Sequence, residues 1–328
     1  MTAAATLHRH GGRLAAARAR FPSAPEPWLD LSTGVNPRPW RGARAAPAAL
    51  ARLPDPEAVR DLEALAARAF GLPADRVAAT PGTEAAIRAL PWLTGARSVG
   101  VVSPTYGGHG EAWRLAGARV EPILRGALAD APFEAVVLVN PNNPDGAVVA
   151  PAELAQAAGD RWLIVDEAFV ETAPELSVAS AAGGRLVVLR SFGKFYGLAG
   201  VRLGFVLAEP AFAQRVRDHF GDWPLGAEAI CAGAGAYADD GWAQATRARL
   251  ARAAARLDRA LVAAGYEVVG GTSLFRLVRR ADAARRFEGL ASRGVLVRPF
   301  IDQPDWLRFG LPPAGAWSRL AQALEARP

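Results

Sequence analysis

Leu186-Val187-Val188-Leu189-Arg190 runs directly into Ser191-Phe192-Gly193-Lys194-Phe195-Tyr196-Gly197-Leu198-Ala199-Gly200-Val201-Arg202, joining an apolar run to a turn punctuated by glycine. The apolar residues are continuous rather than alternating. They read as a strand covered on both faces, the habit of a parallel sheet in an α/β fold. The turn after such a strand projects side chains into the crevice at the carboxyl edge of the sheet, where these folds take ligands. The same pattern recurs on either side: Val77 to Thr80, Ser98 to Val102, Ala135 to Asn140, Trp162 to Asp166 and Gly204 to Ala208 read as strands. Stretches such as Thr83 to Trp92 and Gly108 to Ala116 supply the crossover helices.

Beyond Pro224 an Ala/Arg-rich stretch, Ala227 to Ala264, reads as helix with glycine interruptions. It leads to Tyr266 to Val269, Ser273 to Val278, a helix from Asp282 to Arg293, strands Val295 to Arg298 and Asp305 to Phe309, and a last helix. This is the pattern of a smaller α+β domain. The opening, with Pro22, Pro25, Pro27, Pro37 and Pro39, reads as an extended arm. The expected division is an arm over 1–40 that belongs to the small domain and covers the site, a large domain over 41–224, and a connecting helix plus small domain over 225–328.

Composition narrows the class. At 328 residues and 51% hydrophobic, the chain can bury a large core without staples. Its one cysteine, Cys231, excludes an internal disulfide framework and a cysteine-rich metal site; it reads as a small buried hydrophobe in a reducing compartment. The first twelve residues lack the apolar run of a secretory peptide, and no run approaches the ~20 residues of a membrane span. The expected location is the cytoplasm. The net charge of +6 comes from scattered arginines, such as Arg247, Arg249, Arg252 and Arg256 on one helix, without the interleaved aromatics of a base-stacking groove. They read as a solvated face, and no nucleic-acid or membrane partner is expected.

Among the 38 lysines and arginines Lys194 is the single lysine. Arginine stays protonated, whereas a desolvated lysine can lose its proton and attack a carbonyl. Composition alone allows that Lys194 is an accident of lysine depletion; its neighbours argue otherwise. Ser191, three residues before it, and Arg202, eight after, supply a hydroxyl and a guanidinium suited to a phosphate. Thr80-Pro81-Gly82-Thr83-Glu84 is a strand end, a glycine and a helix start, whose free N–H groups and dipole form an anion cup. Asp166, in Val165-Asp166-Glu167-Ala168-Phe169, is a strand-end carboxylate that is costly to bury unless it meets a cation, so it needs a positive partner. Glu167 should point the other way and reads as a cap or surface carboxylate. Pro104-Thr105-Tyr106-Gly107-Gly108 offers an aromatic face that could equally be packing, and Asn140-Pro141-Asn142-Asn143-Pro144-Asp145-Gly146 ends a further strand. A Schiff-base lysine, a carboxylate suited to a ring cation, an aromatic plate and two phosphate elements, all at strand ends, describe a site for pyridoxal 5'-phosphate.

In this order the segments resemble fold-type I pyridoxal-phosphate enzymes of the histidinol-phosphate aminotransferase group, through the strand-end Asn-Pro-x-x-Pro, Asp-Glu-Ala and Ser-x-x-Lys…Arg motifs. The resemblance implies a large domain with a mainly parallel central sheet, a smaller α+β C-terminal domain and a homodimer. It implies that Lys194 carries the cofactor and moves protons at the substrate Cα. Asp166 would pair with the pyridinium nitrogen, Asn143 would donate to the ring O3′ and Tyr106 would stack on the ring. Gly82, Thr83, Ser191 and Arg202 would hold the cofactor phosphate. Arg308, in Trp306-Leu307-Arg308-Phe309-Gly310, matches the group's carboxylate-binding arginine, and Arg298, in Val297-Arg298-Pro299, a position that meets a distal phosphate. Two positions depart from the pattern: Phe169 replaces a tyrosine that bonds O3′, and Leu53 replaces one that reaches the neighbouring subunit's cofactor.

The arm narrows the reaction. His10-Gly11-Gly12 and Trp28-Leu29-Asp30-Leu31-Ser32-Thr33-Gly34-Val35-Asn36-Pro37 resemble the opening of the threonine-phosphate decarboxylases of cobalamin biosynthesis, as do Asp-Glu-Ala-Phe and Lys-Phe-Tyr. The resemblance implies that His10, Ser32, Gly34 and Asn36 help hold the phosphorylated substrate, L-threonine O-3-phosphate. The product would be (R)-1-amino-2-propanol O-2-phosphate, and the alternative is an aminotransferase acting on histidinol phosphate or another amino acid. His8 and His10 lack a third ligand cluster for a metal. Gly233-Ala234-Gly235-Ala236-Tyr237-Ala238 fits a dinucleotide fingerprint, but helical sequence precedes it where a strand is required. A pyridoxal-fold transcription factor would need a DNA-binding domain ahead of the cofactor domain, for which residues 1–40 leave no room.

Overall fold

The structure, a computed structural model, describes Leu7 and residues 11–325. Two compact units emerge from the packing. One contains the chain up to Arg38, Pro144–Gly146 and the chain from Ala245 onward; the other contains Pro39–Asn143 and Ala147–Gln244.

The strands are β1 (Leu29–Asp30), β2 (Val77–Thr80), β3 (Ser98–Val102), β4 (Arg119–Ile123), β5 (Ala135–Val139), β6 (Trp162–Asp166), β7 (Leu186–Ser191), β8 (Gly204–Leu207), β9 (Glu267–Thr272), β10 (Phe275–Arg279), β11 (Val295–Leu296), β12 (Arg298–Pro299) and β13 (Trp306–Gly310). The larger unit is built on a seven-stranded sheet in the order β2-β8-β7-β6-β5-β3-β4. β7, β6, β5, β3 and β4 pair in parallel, while β8 pairs antiparallel with both β7 and β2. A fold-type I architecture with a mainly parallel sheet is therefore observed. Val99, Val101, Ala135, Val137, Ile164, Val187 and Leu189 form a core with Leu90, Trp113 and Phe212 from the covering helices. Burial on both faces is why these strands carry unbroken apolar runs.

The edge strand β4 has no counterpart in the sequence reading. It is half exposed, with Arg119, Glu121 and Pro122 in it, so it lacks the apolar run that marks the central strands. Pro122 is tolerated because an edge strand needs no donor on its open side.

The helix Ala227–Tyr237 packs with the larger unit, and the passage to the smaller one falls at Gln244–Ala245, inside the helix Asp240–Ala263, rather than at the expected 224–225. Its glycines make this docking close. A Cβ on Gly233 would lie 2.6 Å from Leu203 Cδ2 and 2.9 Å from Leu62 Cδ1, and one on Gly235 2.6 Å from the Trp40 ring. The apparent dinucleotide fingerprint is a helix-packing surface. Cys231, on the same helix, is half exposed rather than buried.

The smaller unit has an antiparallel sheet in the order β12-β13-β10-β9 and a parallel pair, β1 with β11. The arm is thus partly folded: it carries a helix, Leu14–Arg20, and β1, whose Leu29 N–H donates to Gly294 O (2.8 Å). Pro144–Gly146 belongs here because the backbone around Asp145 lies against β9; a Cβ on Gly270 would sit 2.2 Å from Asp145 O. Among the described residues no helix is long and apolar enough to cross a membrane.

Candidate active site

Because β2, β3, β5, β6 and β7 run in one direction, their carboxyl ends open on one edge of the sheet. Each leads into one of the polar segments marked in the sequence.

Asp166 closes β6 and is 3% exposed. Its Oδ1 accepts the N–H of Ala168 (2.9 Å) and its Oδ2 accepts from His109 Nε2 (2.9 Å). His109 is buried on the helix Gly107–Leu115 and stands edge-on to the Tyr106 ring, with centroids 6.1 Å apart at 87°. Among the described residues its Nδ1 has no hydrogen-bond partner, so the useful N–H is the one on Nε2. The sequence reading missed His109. The signal was present: a buried carboxylate needs a donor, and His109 follows Tyr106 by three residues, one helical turn.

Glu167 is the clearest correction. It is fully buried rather than a surface carboxylate. Its Oε1 accepts the N–H of Val178 (2.7 Å), and its Oε2 accepts from Ser177 Oγ (2.6 Å) and Arg190 Nη1 (3.3 Å). Arg190 Nη2 also pairs with Glu171. Burial opposes the Arg190 charge, but Glu171 and Glu167 outweigh it and hold the guanidinium protonated; burial pushes the Glu167 carboxyl up. The alternation of strand side chains gives each neighbouring pair a division of labour. Asp166 and Ser191 lie one residue from Glu167 and Arg190, which lock the ends of β6 and β7 from behind.

The phosphate elements gather around Gly82. This residue is left-handed (φ 85°), and a Cβ on it would lie 2.5 Å from Arg202 Nη2. Arg202 is itself left-handed (φ 60°), rare for a residue with a side chain. Thr83 opens the helix Thr83–Thr94, and its hydroxyl donates to Arg190 O (3.1 Å), next to Ser191. A Cβ on Gly204 would meet Thr83 N at 2.5 Å, so glycine is required for β8 to pass this helix start. Helix N–H groups, the Thr83 hydroxyl and the Arg202 guanidinium are brought to one place, an arrangement that suits an anion.

Lys194 is half buried on the single-turn helix Phe192–Phe195. A Cβ on Gly193 would lie 2.8 Å from Ala199 Cα, so the turn closes tightly. Tyr196 stacks on Phe192 (4.7 Å) and on Trp242 (5.6 Å), which fixes the Lys-Phe-Tyr segment by aromatic packing. Tyr106 is half buried over Gly108, and its hydroxyl donates to Glu84 Oε2 (3.0 Å). Asn143 is half buried just beyond β5. Its neighbour Asn142 braces the loop, accepting from Thr105 Oγ1 (2.6 Å) and donating to Pro104 O (3.0 Å). Phe169 is buried and brings no hydroxyl.

In the smaller unit Arg298 and Arg308 are direct cross-strand partners on β12 and β13. Like charges placed opposite each other destabilise a sheet unless other groups offset them. Burial, reinforced by the Arg298 charge, pushes the Arg308 guanidinium down to about 9. Arg308 Nη2 donates to Ser32 O (2.8 Å). The Ser32 hydroxyl donates to Asp30 Oδ1 (2.6 Å) and accepts from Gly12 N (2.8 Å), so it fastens the arm rather than standing open. Asn36 is buried, its Oδ1 accepting from Arg38 N (3.0 Å) and Arg249 Nη2 (3.4 Å). The expected solvated arginine face is thus only partial, with Arg249 drawn into the unit and Arg252 exposed. Gly34 is buried, and His10 lies outside the described residues.

The donor set of the larger unit fits pyridoxal phosphate: an amine at Lys194, a braced carboxylate at Asp166, an aromatic face at Tyr106 and a glycine-lined anion cup. The comparisons agree with this chemistry. The family model described as aminotransferase class I and II matches residues 27–326. The chain is 41% identical over 324 residues to a threonine-phosphate decarboxylase from Sinorhizobium sp, covering 96% of this chain and 97% of the relative. It is 40% identical over 331 residues to a threonine-phosphate decarboxylase from Pseudomonas aeruginosa, covering 96% of each. A solved histidinol-phosphate aminotransferase from Sinorhizobium meliloti, in complex with pyridoxal-5'-phosphate, superposes with a TM-score of 0.78 at 21% identity, covering 95% of this chain and 93% of that one. Sequence, strand order and strand-end chemistry agree, and the chain belongs to the aminotransferase class I and II family.

Proposed function

We propose that this chain is a pyridoxal-phosphate-dependent threonine-phosphate decarboxylase, converting L-threonine O-3-phosphate to (R)-1-amino-2-propanol O-2-phosphate and CO₂ in cobalamin biosynthesis. The observation that carries the reading is the full-length likeness to two threonine-phosphate decarboxylases, which extends through the arm as well as the strand ends. When bound, pyridoxal phosphate supplies the electron sink for the pair left at Cα when the carboxylate departs.

The residues divide the remaining work. Lys194 would hold the cofactor through its amine and, once free of it, would return a proton to Cα in place of the departing CO₂. Asp166, held by His109 and the Ala168 N–H, would present its carboxylate to the cofactor's ring nitrogen. Asn143 would donate to the ring oxygen, where Phe169 offers no second donor. Tyr106 would supply an aromatic face to the ring, and Gly82, Thr83, Ser191 and Arg202 would hold the cofactor phosphate. Arg308 and Arg298 take the two anionic groups of the substrate, with Ser32, Gly34 and Asn36 shaping their surroundings and His10 joining from the arm. The working form is a homodimer: the exposed Leu53 (69%) lines an open groove of about 450 Å³ with Ala49, Ile230 and Cys231, an apolar face of the kind a second copy covers. A lone cysteine suits the reducing cytoplasm, where we place it.

The experiment is an absorbance spectrum of the purified protein followed by threonine phosphate addition with labelled CO₂ trapping. A visible band absent in Lys194→Ala, with CO₂ released by the intact protein alone, supports the reading. A lasting change of the band to the cofactor's amine form without CO₂ identifies an aminotransferase instead. Light scattering tests the dimer, which a fully active monodisperse monomer would exclude.

A further inference from the structure

The arm's Gly11-Gly12 pair has no role in the chemistry above, yet the structure ties it to Arg308 by a short chain of contacts within one unit. A Cβ on Gly11 would lie 2.2 Å from Ser32 O and 2.7 Å from the Ser32 carbonyl carbon, backbone atoms that cannot rotate away. That same carbonyl oxygen accepts from Arg308 Nη2 (2.8 Å). Gly12, left-handed at φ 76°, brings its N–H to Ser32 Oγ (2.8 Å), and Asp30 Oδ1 holds both the N–H (2.9 Å) and the hydroxyl of Ser32. The far side is equally tight: Gly310 N donates to Leu31 O (2.6 Å), and a Cβ on Gly310 would lie 2.2 Å from Thr33 O. The Ser32 peptide is therefore gripped between Gly11-Gly12 and β13, the strand that carries Arg308.

We propose that Gly11, acting through the Ser32 carbonyl, is a positioning element for Arg308, so that the docked arm sets the direction of the guanidinium that meets the substrate's anionic group. The identity of that anion rests on the decarboxylase reading; the positioning does not. A side chain at position 11 must displace Ser32 O, and the bond from Arg308 Nη2 to that oxygen is then lost or redirected. Because the effect passes through an anion contact formed when substrate binds, it appears in KM more than in kcat.

The test uses the cofactor-loaded full chain and the variants Gly11→Ala, Ser32→Ala, Arg308→Lys and the double variant Gly11→Ala/Arg308→Lys. Gly11→Ala is expected to raise the dissociation constant for L-threonine O-3-phosphate, read from the visible band, roughly tenfold to a hundredfold, the scale of one charged hydrogen bond. Cofactor affinity should stay at the wild-type value. In the Arg308→Lys background the same change should cost less than threefold, since residues acting through one contact are not additive. Ser32→Ala, which keeps the carbonyl but loses the latch to Gly12, should fall between wild type and Gly11→Ala. Independently of any substrate, the ¹⁵Nε resonance of Arg308, assigned by its loss in Arg308→Lys, should move in Gly11→Ala. An unmoved resonance, or equal Gly11→Ala penalties with and without Arg308, overturns the proposal. A wild-type protein that ignores threonine phosphate overturns the decarboxylase reading alone, and the resonance still decides the positioning.

Discussion

Replacing Arg202 by glycine separates backbone conformation from ligand binding at one position. Arg202 holds φ 60°, and its guanidinium lies over Gly82 while donating to Ala199 O (3.0 Å). A left-handed non-glycine residue costs roughly 1–2 kcal/mol. Glycine removes that strain but adds roughly 0.5–1 kcal/mol of unfolded-state entropy. The two nearly cancel, and the lost bond to Ala199 is solvent-exposed, so cofactor-free stability should change by less than about 1 kcal/mol. A guanidinium bond to a phosphate is worth about 1.5–3 kcal/mol, so pyridoxal phosphate should bind roughly tenfold to a hundredfold more weakly. The assay pairs urea unfolding of the cofactor-free protein with titration of the visible band by pyridoxal phosphate. Arg202→Lys should recover part of the affinity. If Arg202→Gly keeps wild-type cofactor affinity and instead loses more than about 2 kcal/mol of cofactor-free stability, the residue is structural and the cradle reasoning fails.

Three further outcomes are expected. His109→Phe removes the donor to Asp166 Oδ2 and should lower kcat about tenfold, the size of a hydrogen bond to a charged group, and should shift the pH titration of the visible band; unchanged values would make His109 packing alone. Arg190→Met strands Glu167 and Glu171 in the interior and should cost about 3–5 kcal/mol in urea unfolding, whereas a loss below 1 kcal/mol would mean the cluster is hydrated. Burial raises the Glu63 carboxyl above its ordinary 4.5, against the Ala79 N–H and Arg217. From 4.5 up to that raised value the folded chain keeps a proton that the unfolded chain releases, so stability falls as pH rises through the window. Glu63→Gln should flatten that slope; an unchanged slope would assign it to other groups.

The amino-acid sequence alone determined the central strands, because burial on both faces writes itself as unbroken apolar runs, as in Ala135–Val139 and at residues 186–189. It also determined that Lys194, Asp166, Gly82, Thr83 and Ser191 stand at strand ends or just past them, since the turn residues there are local. Other features were decided only by tertiary structure. β4 is an edge strand whose pairing, not its composition, makes it a strand. Glu167 follows β6 and Arg190 lies on the neighbouring β7, so nothing in either segment reveals that they pair with each other behind the site. His109 meets Asp166 from a helix 57 positions earlier in the chain. Gly11 and Arg308 come from opposite ends of the sequence and share the Ser32 carbonyl. Periodicity records what each residue needs from its surroundings; which distant residue supplies it is fixed only when the chain is packed.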